Sequence, residues 1–262
     1  MELPVSHAFE YFEFDPAPAL AGHVTSYWGF RVRTADPPVH RLWADGCITL
    51  TAVSTPEESR WVLVGPRVGP LDVPVTREAT YWGARFWPDA GGAVLGIRAT
   101  ELRNVTIVAP PAVEHLLGPA AAVAGPDEAA TATVLDTIFE PLVRRAPPLD
   151  RAVRQAVTAI VATAGTVPIA EIAAGIGIGE RQLQRRFRLA VGLTPKQFAR
   201  IRRVRTAGGS VLAGKQSWAE LAASHGFADQ SHLIHEFSQL TGLTPVAFEE
   251  RLRGIEHGNV DP

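Results

Sequence analysis

The residues best suited to chemistry in this chain are polar side chains gathered in two short stretches. Arg181, Gln182, Gln184 and Arg185 form one, and Gln230, Ser231, His232 and His235 form the other. Guanidinium and carboxamide groups can bond in bidentate fashion to guanine and adenine edges, so both stretches suit a DNA major groove. Between them Arg200, Arg202, Arg203 and Arg205 offer cations for phosphate oxygens, which add affinity without reading sequence. Other chemistries fit less well. His232 and His235, with Glu236 beside them, imitate a metal pair, but their company of helix-borne polar residues favours polar contact. Cys47, the single cysteine, has no recognisable base or third group to make it a nucleophile and reads as a buried strand residue. The run Gly175-Ile176-Gly177-Ile178-Gly179 follows a helical segment rather than a strand, which argues against a nucleotide loop. No metal and no cofactor are expected.

The elements that carry these side chains repeat. Gly192-Leu193-Thr194-Pro195 returns as Gly242-Leu243-Thr244-Pro245, with Phe187 returning as Phe237 and Phe198 as Phe248 at an offset of 50. Ala170-Glu171-Ile172-Ala173 returns as Ala219-Glu220-Leu221-Ala222 one residue short of that offset, so the second turn is one residue longer. Each copy has a short helix ending at glycine (Gly177, Gly226), an apolar residue (Ile178, Phe227), and a second helix with an apolar inner face. These are two helix–turn–helix units, at about 169–191 and 218–241. A helix from about Pro195 to Leu212 bridges them, with Gly208-Gly209 offering a bend. At about 1.5 Å per residue its length is roughly 27 Å. Recognition helices about 34 Å apart meet successive major-groove turns on one face of B-DNA.

The first half differs in kind. Segments such as 24–32, 47–53, 61–64 and 81–86 are rich in Val, Ile, Thr and aromatics, and Pro, Gly and Asp separate them, as in Ala35-Asp36-Pro37-Pro38. A helix capped by Asp127 runs from Glu128 to Arg145, and Asp150 caps another over 151–164. The fold class is therefore α+β: a β-rich N-terminal domain (sheet or barrel with a trailing helix), then an all-α double helix–turn–helix domain. The domains are expected at 1–145 and 150–256, with a Pro-rich linker at 146–149. Charge agrees: residues 1–149 hold 11 Lys and Arg against 17 Asp and Glu, and residues 150–256 hold 14 against 9. With 46% hydrophobic and 20% charged residues the chain can bury cores, which excludes disorder. No apolar run suits a membrane span, no basic segment precedes an apolar core near Met1, and the cysteine usage suits the reducing cytoplasm.

Residues 150–253 closely resemble the AraC/XylS-type DNA-binding domain of bacterial transcription regulators. The stretch Gly226 to Phe237 followed by Gly242-Leu243-Thr244-Pro245 is close to that family's signature, and Gly177 to Phe187 matches the first motif. The resemblance implies a seven-helix domain whose two recognition helices enter adjacent major grooves, with Arg181, Gln184 and Arg185, then Gln230, Ser231, His232 and His235, reading bases. Family members often carry Arg where this chain has His235. Segments 18–28, 42–47 and 83–88 resemble a poorly characterised domain often found before AraC-type domains. By analogy it senses a small molecule, mediates association, or both.

Trp28, Trp43, Asp45, Trp82 and Arg85 are the candidate lining of an effector pocket: apolar rings with an acid and a base as polar anchors. The alternative is a β core in which those rings pack and the domain serves only dimerisation or protein interaction. The expected function is a sequence-specific, non-enzymatic transcription regulator. Its expected partner is promoter or operator DNA, with RNA polymerase, a small-molecule effector and a second copy of the chain as further candidates and no membrane. An enzyme with an appended helical domain would need a catalytic constellation in 1–145, and none is visible there.

Overall fold

The computed structural model describes residues 9–32, 39–125, 127–212 and 217–248. The break at Ala35-Asp36-Pro37-Pro38 and the end of the 150–256 assignment lie outside these residues. In chain order the first half forms β1 (Phe9–Phe14), β2 (Val24–Val32), β3 (His40–Leu42), β4 (Thr49–Ser54), β5 (Ser59–Val64), β6 (Leu71–Val73) and β7 (Thr80–Phe86). Next come α1 (Gly91–Leu95), β8 (Thr106–Val108), α2 (Pro111–Leu117), a 3-10 turn at Ala120–Ala122, and α3 (Glu128–Arg145). The second half is helical: α4 (Arg151–Ala162), α5 (Ile169–Ile176), α6 (Glu180–Val191), α7 (Pro195–Leu212), α8 (Trp218–Ser224) and α9 (Gln230–Thr241). Residues 245–248 begin a further helical turn. No helix among the described residues is long and apolar enough to cross a membrane.

Six strands make an antiparallel sheet in the order β1-β2-β7-β4-β5-β8, and β3 pairs with β6 as a separate ribbon. Alternation along the strands gives the sheet two unlike faces. Tyr27, Leu50, Ala52, Trp61, Leu63, Trp82, Ala84 and Phe86 point one way, into a core closed by Leu135, Phe139 and Leu142 of α3. The Tyr27 hydroxyl donates to Asp136 of α3 at 2.9 Å, which satisfies a phenol buried at the centre of that core. The opposite face starts apolar, with Phe30 and Tyr81 stacked at 4.4 Å beside His40, whose ring lies 4.7 Å from Phe30. It becomes polar toward Ser26, Thr51 and Arg85, all buried.

The helical half has its own core, in which Leu183, Phe187, Phe198, Leu233, Phe237 and Phe248 are fully enclosed. Local signals set the helix ends. Asp150 accepts the amides of Ala152 and Val153, Ser217 and Glu220 form a capping box on α8, and Asp229 accepts the His232 amide. The bridging helix α7 stays helical through Gly208. A Cβ there would stand 3.4 Å from Phe248 and 3.5 Å from Phe237, so the glycine admits both rings against the helix. Trp43, Ala44, Val68 and Trp87 from the first half also enter this core, so the two halves share it.

Candidate nucleic-acid interface

The two helix–turn–helix units are α5–α6 and α8–α9. Each turn begins at a glycine of positive φ, +80° at Gly177 and +70° at Gly226, where a side chain would be strained. On α6, Leu183, Phe187 and Val191 are buried, while Arg181, Gln182, Gln184, Arg185 and Arg188 are exposed. Arg181, Gln184, Arg185 and Arg188 follow the spacing i, i+3, i+4, i+7 and share one face. Arg188 was not among the expected readers, although this spacing points to it. Gln184 is steadied by its amide donating to Glu180 at 2.9 Å. Arg186 turns the other way and pairs twice with Asp150, at 2.6 and 2.7 Å, clamping α6 to the start of α4. Burial pushes the Asp150 carboxyl up, and Arg186 with the two cap amides more than reverses this, holding it below its ordinary value.

On α9, Leu233, Phe237 and Leu240 are buried, and Gln230, Ser231, His232 and His235 are exposed. The repeat superposes Arg181 on Ser231, Gln182 on His232, Arg185 on His235 and Arg186 on Glu236, so the second helix has no arginine. Its side chains are also more engaged. His232 Nδ1 accepts the Ala228 amide at 3.2 Å, and His235 Nε2 bonds the Gln239 amide group at 2.8 Å.

The four bridge arginines do not act as one set. Arg200 pairs with Glu236 and donates to Gln239, so it braces α9. Arg203 donates to the Gly165 carbonyl at 2.8 Å and the Gly226 carbonyl at 3.2 Å, and lies over the Phe227 ring at 5.6 Å. Its guanidinium fork is thus turned into the protein, which corrects the expectation of a phosphate contact there. Arg202 and Arg205 are half-buried on the same helix.

The proposed pocket residues separate. Trp82 and Arg85 are three apart on β7, so alternation puts them on opposite faces. Trp82 lies over Gly29 in the helix-covered core, where a Cβ on Gly29 would sit 2.2 Å from the indole. Trp43 leaves the sheet altogether and packs on Phe248 at 4.8 Å. A single pocket lined by all five residues is therefore excluded by the register. Asp45 and Arg85 do meet, and Trp28 lies on the same face of the sheet as Arg85. Arg85 is 6% exposed, with Nη1 3.5 Å from Glu13 and Nε 3.6 Å from Asp45. Trp28 lies flat over Gly83 on the same face, its Nε1 2.9 Å from where a Cβ would be. A β-bulge at Thr25 sets Ser26 opposite Arg85. Burial pulls the half-buried Arg67 guanidinium below its ordinary value, and nearby Asp45 partly restores it.

Two loops of the first half grip both helix–turn–helix units at matching places. Gly192 and Gly242 end α6 and α9 with φ of +80° and +70°. A Cβ on Gly192 would meet the Ala99 carbonyl oxygen at 2.5 Å and Pro66 at 2.9 Å, and one on Gly242 would meet Pro70 at 3.0 Å. Arg41, held by Asp72, donates to the Gly242 carbonyl at 3.1 Å. Trp43 covers Phe248, and the Phe198 ring comes within 2.7 Å of a Cβ position on Gly46. A further tie joins Arg154 of α4 to buried Asp89 at 2.8 Å, with its guanidinium over Trp87.

Two helix–turn–helix units joined by one helix, each presenting a polar outer face, define a DNA-reading module. Residues 172–251 match a helix-turn-helix domain family, and residues 12–108 match a domain of unknown function (DUF6597). The match at 172–251 gives the chain a helix-turn-helix domain of AraC type. It is similar to a transcriptional regulator with an AraC-type DNA-binding domain from Chromobacterium violaceum, at 20% identity, covering 38% of this chain and 91% of that one, with a TM-score of 0.37. The C-terminal domain of AraT, a response regulator from Geobacillus stearothermophilus, is 18% identical over 40% of this chain and 88% of its own, with a TM-score of 0.38. ToxT from Vibrio cholerae is 10% identical over 95% of this chain and 98% of its own, with a TM-score of 0.43. No curated protein matches the chain.

Proposed function

We propose that the chain is a sequence-specific transcription regulator that reads operator DNA through α6 and α9 in adjacent major grooves, under the control of a small molecule bound by the β-rich half. One observation carries the DNA reading: α6 buries one side completely and presents Arg181, Gln182, Gln184, Arg185 and Arg188 on the other. In this reading Arg181, Gln182, Gln184 and Arg185, with Ser231, His232 and His235, contact base edges, and Gln230 sits at the entry of α9. Arg188, Arg202 and Arg205 serve phosphates, while Arg200 and Arg203 position helices. The sensing unit spans 1–145 and the reading unit starts at 150, joined by 146–149. Duplex DNA as partner and a lone cysteine favour the cytoplasm as its compartment. A second copy of the chain and RNA polymerase are further partners in this scheme, and no catalytic step is assigned. Selection of bound sites from random duplex DNA tests it. One enriched site with two half-elements about one turn apart is expected, and no enrichment would end the reading.

A further inference from the structure

Two segments of the β-rich half, 41–46 and 66–70, meet both helix–turn–helix units at positions that the repeat makes equivalent. Segment 66–70 runs from the end of one recognition helix to the end of the other. Pro66 abuts Gly192 after α6, Gly69 faces the Gln239 carbonyl, and Pro70 abuts Gly242 after α9. Segment 41–46 repeats the pattern on the cores of the units. Gly46 lies against Phe198, and Trp43 packs on Phe248, the ring at the same place in the second copy. The Ala44 amide donates to the Leu240 carbonyl at 3.4 Å.

Arg41 adds a directed polar contact. Asp72, its partner across the β3–β6 ribbon, fixes the guanidinium with two bonds of 2.5 and 2.6 Å. Its Nη1 is left to donate to the Gly242 carbonyl at 3.1 Å, an acceptor that a helix end leaves without an internal partner. Inside the helical half the two units are joined through α7, which packs on both. Trp43 reaches this bridge too, 3.9 Å from where a Cβ on Gly208 would stand. The pair Gly208-Gly209 is the stretch of α7 with the least intrinsic helix preference, so the first half supports the bridge where it is weakest.

We propose that segments 41–46 and 66–70 act as a ruler that fixes the separation of α6 and α9, and with it the number of base pairs between the two half-elements of the target. Arg41, set by Asp72, is a positioning residue for that spacing and touches no base. The proposal rests on the regulator reading above and adds what determines the spacing of its target. One inserted base pair moves a half-element by roughly 3.4 Å and about 35°, a displacement that a braced pair of helices resists. The test uses the full chain and three duplexes: the selected site, the same site with one base pair inserted between its half-elements, and the α6 half-element alone. Arg41→Met and Asp72→Asn should each lower the preference for the selected spacing over the insertion about fivefold, the scale of one hydrogen bond. Affinity for the lone half-element should stay as in the parent, and the double variant should lose no more than either single one. An unfolded fraction lowers binding to all three duplexes alike and leaves the spacing preference unchanged, so the ratio separates positioning from stability. Equal losses on all three, an unchanged preference, or tighter binding of the selected site by the variants would overturn the ruler. A second measurement needs no DNA. With Cys47→Ala as background, spin labels on Gln182→Cys and Ser231→Cys, both exposed, should report one narrow distance between α6 and α9, and Arg41→Met should broaden it. An equally narrow distance in the variant would overturn the ruler. A parent chain that selects no DNA but shows that broadening would end the regulator reading and leave the brace standing.

Discussion

Side chains of one type do different work in this molecule, and their partners tell which. Arg185 is exposed on the outer face of α6, whereas Arg203 is locked between two carbonyls. Arg185→Ala should therefore cost about 1–3 kcal/mol on the selected site and little on random DNA. Equal losses on both DNAs would make it a phosphate contact. Arg203→Ala should leave the salt dependence of binding unchanged and lower folding stability by about 1–3 kcal/mol, read by urea unfolding. A salt slope shallower by about one unit would restore it to the phosphate set. The sequence displayed Arg185 through its place in a repeat. It could not show the inward turn of Arg203, because the accepting carbonyls of Gly165 and Gly226 are 38 and 23 residues away.

Elements add what single residues lack. The cap and clamp at Asp150 join α4 to α6, and replacing it with alanine should cost about 1–2 kcal/mol through the cap alone. Its carboxyl lies below its ordinary value in the folded chain, so its contribution is complete above the unfolded value near 4 and fades as pH falls through the lower folded value. Acid unfolding curves should show this loss in the parent and not in Asp150→Ala. The arginine-bearing α6 and arginine-free α9 divide another task. Alanine at Arg188 should flatten the salt slope of binding, and alanine at Ser231 or His232 should not, which titration at several salt concentrations reads directly. Helices were legible in the sequence because a 3.6-residue period and a repeat both reported them. The sheet was legible as strands but not as faces. Trp82 and Arg85 looked like neighbours in one pocket, and only the β2–β7 register showed which way each points.

At the scale of the whole molecule the two halves are built into each other. Trp43, Ala44, Val68 and Trp87 complete the helical core, and nothing local in the sequence announces that the turn after β3 crosses to the other half. Residues 150–262 made alone should therefore unfold at lower urea than the same helices in the full chain. Identical midpoints would show that the shared core contributes nothing. Gly192→Ala combines a φ of +80° with a backbone oxygen 2.5 Å from the new Cβ. It should cost about 1–3 kcal/mol, measured by urea unfolding, and more if the grip cannot relax. The unlike surfaces of α6 and α9 have one more consequence. Dimeric readers with two identical helices bind palindromes and look the same from either end. Here both helices belong to one chain and only one is rich in arginine, so a bound chain has a head and a tail along the duplex. Inverting its target would turn the protein end for end and present the β-rich half to the opposite neighbour, giving the protein's output a compass direction on DNA.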